Sequence, residues 1–271
     1  MSEPEFSRYL AFAMTAARRG GDVLRRYFRA LDPSDVHEKT RNDFVTTADR
    51  ASEEAIRGYL HGCTPTFGFL GEEGGAHGST GCRWVVDPLD GTANFLHSFP
   101  HFAVTIALVA DGKITVGVIY DPMRDELFSA CAGAGAFCNG RPLRVSARTG
   151  LEGSFVTTGF PFRVHRHIDA YLRVFRDVFL VASAIRRPGA AALDLAHTAA
   201  GIFDAFFEFN LSPWDIAAGT LLVREAGGVV TNLDGGADVL ERGNVVAGNP
   251  ATQRELITLV QRHCQEAEIV P

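Results

Sequence analysis

The feature that most restricts the fold is a group of short apolar strands joined by tight turns between residues 102 and 145. One apolar stretch ends at Val109, and the chain returns after a three-residue turn through Tyr120. A third strand then leads into the glycine-rich segment 131–140. Turns this short connect neighbouring antiparallel strands. The pattern therefore predicts an antiparallel meander in this part of the chain.

The residues on both sides of the meander show helical and strand patterns. Before it, apolar residues recur at helical spacing over residues 6–28 and 48–61. After it, predicted strands alternate with predicted helices, which is typical of α/β packing. Small and polar residues gather at 146–153. We place a boundary there, between an α+β half at 1–150 and an α/β half at 151–271.

The composition is that of a large, mildly acidic globular chain. The 271 residues are 46% hydrophobic, carry a formal net charge of −6 and contain no Lys/Arg run; nucleic-acid binding needs a basic face. No stretch approaches the ~18 apolar residues that span a bilayer, and the N-terminus lacks the pattern of a signal peptide. The five cysteines have no C-x-x-C spacing, which favours reduced thiols. We expect a cytoplasmic protein that binds neither nucleic acid nor membranes.

Acidic residues follow two neighbouring predicted strands. Glu72 and Glu73 end one strand, Asp87 and Asp90 end the next, and Asp215 begins a later helix. Carboxylates at adjacent strand ends repel one another unless a cation neutralises them, and an all-oxygen ligand set suits Mg²⁺ or Mn²⁺. Taken singly, each acid is better explained as an ordinary cap.

The string W-V-V-D-P-L-D-G-T-A-N-F at 84–95 favours a functional role for these acids. Two acids three residues apart, on either side of a proline turn, can point at one site. Gly91 allows close approach of the backbone, and the N–H groups that follow begin a helix or turn suited to an anion. Acids for a metal beside donors for a phosphate predict a phosphoryl-transfer site.

With these motifs the chain resembles the inositol monophosphatase family of Mg²⁺-dependent, Li⁺-sensitive phosphatases. The matching segments, in order along the chain, are 42–49, Gly71-Glu72-Glu73, 84–95, Pro213-Trp214-Asp215 and 225–228. Their order and spacing hold over roughly residues 8–260. The resemblance implies an α/β fold of alternating α-β-α-β-α layers, an active site between the two halves, and a homodimer.

The resemblance also implies metal ligands and catalytic residues. Two or three Mg²⁺ ions, with Mn²⁺ as an alternative, would be held by Glu72, Asp87, the Leu89 carbonyl, Asp90 and Asp215. Catalysis would rest on Thr92 and Asp49, which would orient the attacking water, together with Glu72. Substrate contacts are implied at the backbone N–H groups of Gly91 and Thr92, and at Asp90, Arg186, Ala191, Glu208 and Asp215.

The expected reaction is hydrolysis of a small polyol or sugar phosphate, with myo-inositol 1-phosphate as the leading substrate. Related family members act on fructose 1,6-bisphosphate, histidinol phosphate or 3′-phosphoadenosine nucleotides and share the metal motifs. Glu208 favours a polyol because its carboxylate accepts hydroxyl hydrogen bonds, although the Phe-Glu-Phe pattern also fits a strand with one exposed face. A regulatory binding protein that retains the fold is the alternative of another class. Lys39 and the segment 159–162 are left without a role.

Overall fold

The computed structural model describes residues 3–32, 36–40, 43–160, 167–264 and 269, without the side chains of 3–5, 36–40, 43 and 44. Its helices are α1 (Glu3–Tyr27), α2 (Thr47–Cys63), α3 (Thr92–Leu96), α4 (Ile168–Val181), α5 (Ala191–Ala199), α6 (Pro213–Glu225) and α7 (Pro250–Gln261). Its strands are β1 (Val36–Thr40), β2 (Asp43–Thr46), β3 (Gly68–Gly71), β4 (Gly75–His77), β5 (Cys82–Asp90), β6 (Ala103–Ala110), β7 (Lys113–Asp121), β8 (Glu126–Cys131), β9 (Gly135–Cys138), β10 (Arg141–Pro142), β11 (Phe155–Thr158), β12 (Ala184–Arg186), β13 (Ala205–Glu208), β14 (Val229–Thr231) and β15 (Val245–Gly248).

These strands form two large sheets and one hairpin. The first sheet has the order β10-β9-β8-β7-β6-β5-β3-β4, the second has the order β12-β11-β13-β15-β14, and β1 pairs with β2. From β5 to β10 each strand is antiparallel to the next, as the meander predicts. The pair β3 and β5 is parallel, so these two strands end at the same edge of the sheet.

Helices cover both faces of each sheet. α1 and α2 pack on the outer face of the first sheet, α5 and α6 lie between the sheets, and α4 and α7 cover the outer face of the second. The predicted α/β fold with alternating α-β-α-β-α layers is confirmed.

The alternation of side chains along β6 explains why all of its residues except Thr105 are apolar. Val104, Ile106 and Leu108 pack in the core beneath α1 and α2, whereas Ala103 and Ala107 pack towards α5 and α6. A strand covered on both faces needs no polar side. α6 is buried in the same way, since nine consecutive residues from Asp215 to Val223 are buried, and a helix buried on all sides is apolar all round.

The sequence patterns miss the shortest strands. β1, β2, β4, β9 and β10 are short and lack sustained apolar alternation, so their pairing depends on neighbouring strands rather than on local pattern. β5 runs past Asp87 to Asp90, with a shift in register between these two residues. All five cysteines lie in the described ranges, and none of them is in a disulfide.

Two sequence features lie wholly or partly outside the residues that the structure describes. The side chain of Lys39 and residues 161–162 are not among the described residues. Within the described ranges, no helix is both long enough and apolar enough to cross a membrane.

Candidate active site

The end of β5 is a bulge that places two acids at one edge of the sheet. Asp87 pairs with Thr105 and Asp90 with Ala103, so two residues of β5 lie opposite one of β6. The Leu89 N–H donates to Asp87 Oδ1 at 2.9 Å, and Ser52 Oγ of α2 donates to the Pro88 carbonyl at 3.1 Å. The bulge is therefore fixed both by its own side chain and by α2.

Four carboxylates lie within electrostatic reach of one another at this edge. The Glu72 N–H donates to the Val86 carbonyl at 3.2 Å, which places Glu72 beside Asp87. Burial raises the pKa of Asp87 well above its usual range, and the charges of Glu72, Asp215 and Asp90 raise it further. Burial, followed by the charge of Asp215, raises the pKa of Asp90 to about 8. The structure thus brings together the four acids predicted as ligands.

Two of these acids also cap helices. Asp215 Oδ2 accepts a hydrogen bond of 2.8 Å from the Ser212 N–H and completes the capping box of α6. Asp90 Oδ2 accepts one of 2.8 Å from the Ala192 N–H in the first turn of α5, 102 residues further along the chain. Asp90 therefore connects the first sheet to α5 beside Ala191. The interpretation as a helix cap therefore holds for these two carboxylates, and their role as metal ligands stays a prediction.

The donor set fits a hard divalent cation. Within the described ranges, no group of three or more His, Cys, Asp or Glu side chains is close enough together to hold a metal ion as it stands. Carboxylates repel one another, so four of them do not close into a ligand shell by their own interactions. Burial, together with the charges of neighbouring acids, raises the pKa values of Asp87 and Asp90, and carboxylate and carbonyl oxygens are the ligands that Mg²⁺ prefers.

Thr92 lies between the acid cluster and α2. Gly91, with φ of 92°, precedes it and adopts a backbone conformation that favours glycine. Thr92 Oγ1 lies 3.0 Å from the Leu89 carbonyl and 3.3 Å from Asp49 Oδ1, and it can donate to either. Asp49 also accepts from the Thr46 N–H at 2.9 Å in the capping box of α2. Burial raises the pKa of Asp49 to about 7, against the hydrogen bonds from Thr46.

Sequence reasoning missed a second buried acid on α2. Glu53 is 5% exposed, and its Oε2 accepts a hydrogen bond of 3.0 Å from the Glu73 N–H. A Cβ at Gly71 would collide with the same carboxylate. Glu53 thus holds the turn that contains Glu72. The signal was present, because Asp49 and Glu53 are four residues apart and share one face of the helix.

The predicted substrate residues fall into two groups in the structure. Ala191 begins α5 beside Asp90, and Glu208 ends β13 with 7% of its surface exposed. The exposed Arg186 places its guanidinium 4.9 Å from the centre of the Phe155 ring and donates to the Ile185 carbonyl at 3.0 Å. Its role in substrate binding stays a prediction.

Asp194 is a further acid that sequence reasoning missed. It is 1% exposed, and its Oδ1 accepts a hydrogen bond of 2.8 Å from Thr157 Oγ1. Burial raises the pKa of Asp194 well above its usual range, and the charges of Glu208 and then Asp90 add to the effect. The sequence did contain a signal for it, namely an acid within the apolar sequence of α5. An acid buried in such a helix needs a hydrogen-bond partner.

Comparison with known proteins agrees with this fold and site. The chain matches the model of the inositol monophosphatase family over residues 5–265. It therefore belongs to the inositol monophosphatase family.

Its relatives have two kinds of name. The chain is 48% identical over 260 residues to the protein named Nus factor SuhB from Pseudomonas aeruginosa, covering 94% of this chain and 96% of that one. It is 46% identical over 258 residues to the inositol-1-monophosphatase of Mesorhizobium japonicum, covering 94% and 97%. The crystal structure of extragenic suppressor protein suhB from Bartonella henselae superposes with a TM-score of 0.90 at 45% identity, covering 95% of this chain and all of that one.

Proposed function

We propose that this protein is a Mg²⁺-dependent phosphomonoesterase acting on a small polyol or sugar phosphate, with myo-inositol 1-phosphate as the leading substrate. The observation that supports it most is the group of carboxylates around the end of β5, where burial and then the neighbouring charges raise the pKa values of Asp87 and Asp90. Burying several carboxylates together costs folding free energy, so such a group indicates a functional role. Binding a divalent cation together with a phosphate is such a role.

The proposed ligands of the cation are Glu72, Asp87, the Leu89 carbonyl, Asp90 and Asp215, for two or three Mg²⁺ ions or for Mn²⁺. When bound, the cation supplies a lowered pKa for a coordinated water and positive charge for the phosphate oxygens. Within the protein, Glu53 and Ser52 fix the two turns that present these ligands, since they bond to the Glu73 N–H and the Pro88 carbonyl.

Thr92 and Asp49 form the proposed proton relay. When Thr92 Oγ1 donates its proton towards Asp49 Oδ1, 3.3 Å away, its lone pairs are available to accept a proton from the attacking water. Asp49 has a pKa raised to about 7, near a physiological working pH, where a general base is most effective. The backbone N–H groups of Gly91 and Thr92 are the proposed phosphate donors.

Glu208, Asp90 and Ala191 are the proposed contacts to the substrate's hydroxyl groups, together with Arg186 and Asp215. The Glu208 carboxylate is buried, and it lies close enough to Asp194 for the two charges to interact. A hydroxyl group of a polyol can donate a hydrogen bond to this carboxylate, whereas an aryl group cannot.

The test is a phosphate-release screen over polyol, sugar, amino-alcohol, nucleotide and aryl phosphates with Mg²⁺ and with EDTA. Inositol 1-phosphate should be hydrolysed best, and only with the cation. Glu208→Gln should raise KM for inositol 1-phosphate roughly ten- to hundredfold more than KM for p-nitrophenyl phosphate, because a bond to a charged acceptor is weakened. Turnover in EDTA would contradict the metal assignment, and equal losses on both substrates would make Glu208 structural.

A regulatory binding role is the second candidate function. It is favoured by the name Nus factor SuhB of a relative that is 48% identical to this chain. The variant Asp90→Asn distinguishes the two functions, because it should lose phosphatase activity. If the same variant still captures the proteins that wild type captures from a lysate of the source cell, binding is independent of catalysis.

Assembly, location and domain organisation are part of the proposal. We propose a homodimer that acts in the cytoplasm, with the active site between the halves 1–150 and 151–271. Light scattering after size-exclusion chromatography should give twice the chain mass of 29.3 kDa. A mass of one chain at micromolar concentration would contradict the dimer.

A further inference from the structure

We propose that Gly159 is a specificity-determining position, because it provides the space in which the Glu208 carboxylate lies. This inference rests on the proposed function, in which Glu208 binds hydroxyl groups of the substrate. Gly159 follows β11 and is buried. No substrate contact is needed from Gly159 itself, so it acts through Glu208 as a positioning residue.

The sheet register places Gly159 beside Glu208. β11 and β13 are parallel, with Thr157 opposite Phe206 and Thr158 opposite Phe207. The next pair along the two strands is therefore Gly159 and Glu208, and paired residues project from the same face of a sheet. Thr157 of this face bonds to Asp194 of α5. Glu208 thus projects towards α5, as the charge effect between Glu208 and Asp194 also indicates.

A side chain at position 159 would occupy the position of the Glu208 carboxylate. The three atoms nearest to a Cβ built on Gly159 are Oε1, Cδ and Oε2 of Glu208, all well inside van der Waals contact. On its other side Glu208 has Val245 as its register partner. The Glu208 carboxylate therefore lies over Gly159, the one of its two neighbours across the strands that has no side chain.

Backbone conformation does not explain the glycine. Gly159 does not have a φ in the left-handed region, so an L residue can adopt its backbone conformation. The flanking backbone is also fixed, because Thr158 Oγ1 donates to the Phe207 carbonyl at 2.6 Å and lies 2.9 Å from the Tyr171 hydroxyl. Any clash at position 159 is thus relieved by the mobile end of the Glu208 side chain.

Gly117 shows what a structural glycine looks like in the same chain. A Cβ at Gly117 would lie 2.8 Å from the carbonyl oxygen of Ala218 and 3.1 Å from its Cα, so α6 itself would have to move. At Gly159 a methyl group displaces a carboxylate and leaves the packing of the helices alone. Gly159→Ala should therefore fold and change only the position of the hydroxyl-binding acid.

The experiment compares wild type, Gly159→Ala, Glu208→Ala and the double variant on inositol 1-phosphate and on p-nitrophenyl phosphate, with Mg²⁺. Gly159→Ala should raise KM for inositol 1-phosphate about tenfold more than KM for the aryl phosphate. Because Gly159 acts through Glu208, the double variant should be no worse than Glu208→Ala. Gly58→Ala is the matched control, since a Cβ there meets nothing within 4 Å.

Each alternative outcome has a defined meaning. Equal losses on both substrates, or multiplied losses in the double variant, would overturn the inference and make Gly159 structural. If wild type hydrolyses neither phosphate, the proposed function fails, and crystal structures of wild type and Gly159→Ala then decide the position of the acid. A Glu208 carboxylate that has the same position in both crystals would refute our proposal.

Discussion

Replacing Asp90 by Asn should stabilise the metal-free protein and abolish its turnover. Burial and the charge of Asp215 raise the pKa of Asp90 to about 8, so its ionised form is strongly disfavoured in the folded state. Asparagine has nearly the same shape and no charge. Its Oδ1 can still accept the hydrogen bond of 2.8 Å that Asp90 Oδ2 accepts from the Ala192 N–H. The cap of α5 therefore survives while a proposed ligand is lost.

The size of the stabilisation follows from proton linkage. The folded pKa of about 8 exceeds the ordinary value of 3.8, so between these pH values the folded state binds more protons than the unfolded state. Stability therefore falls as pH rises through this window. At pH 7 the window spans about three pH units, and at 1.36 kcal/mol per unit the penalty is about 4 kcal/mol. At pH 5 it is only about 2 kcal/mol by the same rule.

The assay is thermal unfolding in EDTA at pH 5 and pH 8, followed by titration with Mg²⁺. At pH 8 the penalty is about 5 kcal/mol by the same rule. For a chain of this size each kcal/mol shifts Tm by roughly 2–4 °C, so Asp90→Asn should melt roughly 10–20 °C higher at pH 8 and much less so at pH 5. Mg²⁺ should raise the Tm of wild type more than that of the variant. Asp238→Asn removes the same charge from an exposed position and is the control. A lower Tm than wild type at pH 8 in EDTA, or near-normal turnover, would refute the reasoning.

Three further predictions concern the relay, acid stability and packing. Thr92→Ala and Asp49→Asn should each lower kcat at least tenfold with Mg²⁺ affinity by calorimetry close to wild type, and the double variant should be scarcely slower; multiplied losses would exclude a relay. Burial lowers the pKa of His197 to about 4 from 6.5, so unfolded chains bind the extra proton and stability falls as pH drops through that window. In denaturant titrations, His197→Phe should make stability fall less as pH drops. An unchanged pH profile would show that another group causes the fall. Gly117→Ala should lower the free energy of unfolding by about 1–3 kcal/mol, because its Cβ would meet the Ala218 backbone; an unchanged denaturation midpoint would show that α6 can shift.

The elements with strong apolar periodicity could be predicted from the sequence. α2 was expected at 48–61 and occurs at Thr47–Cys63, and the meander strands β6, β7 and β8 lie where their tight turns placed them. The acids that follow β3 and β5 were also expected to lie together, and these two strands do end at the same edge. Their role as metal ligands stays a prediction. In each case the signal is local, either a repeat along one element or a residue at its end.

Contacts between distant segments could not be predicted. The Asp90–Ala192 hydrogen bond joins residues 102 positions apart, and the Thr157–Asp194 bond joins strand and helix across the interior. Nothing in the local sequence specifies these partners, since they depend on how α5 packs against the sheets. The edge strand β4 likewise forms because β3 offers it a partner, and not because Gly75–His77 has strand character.

Small residues, rather than the acids, determine where Asp215 lies relative to Asp87 and Asp90. α6 approaches β7 so closely that a Cβ at Gly117 would clash with the Ala218 backbone, and it approaches α5 so closely that a Cβ at Gly219 would lie 2.5 Å from Leu195 Cβ. Asp215 is at the N-terminal end of this tightly held helix, so it cannot retreat from the other carboxylates when they repel it. The packing of α6 therefore keeps Asp215 close to Asp87 and Asp90, whose pKa values are raised first by burial and further by neighbouring charges that include Asp215. A site that must hold several like charges near one point depends on this kind of backbone contact, because flexible side-chain contacts would relax and let the charges separate.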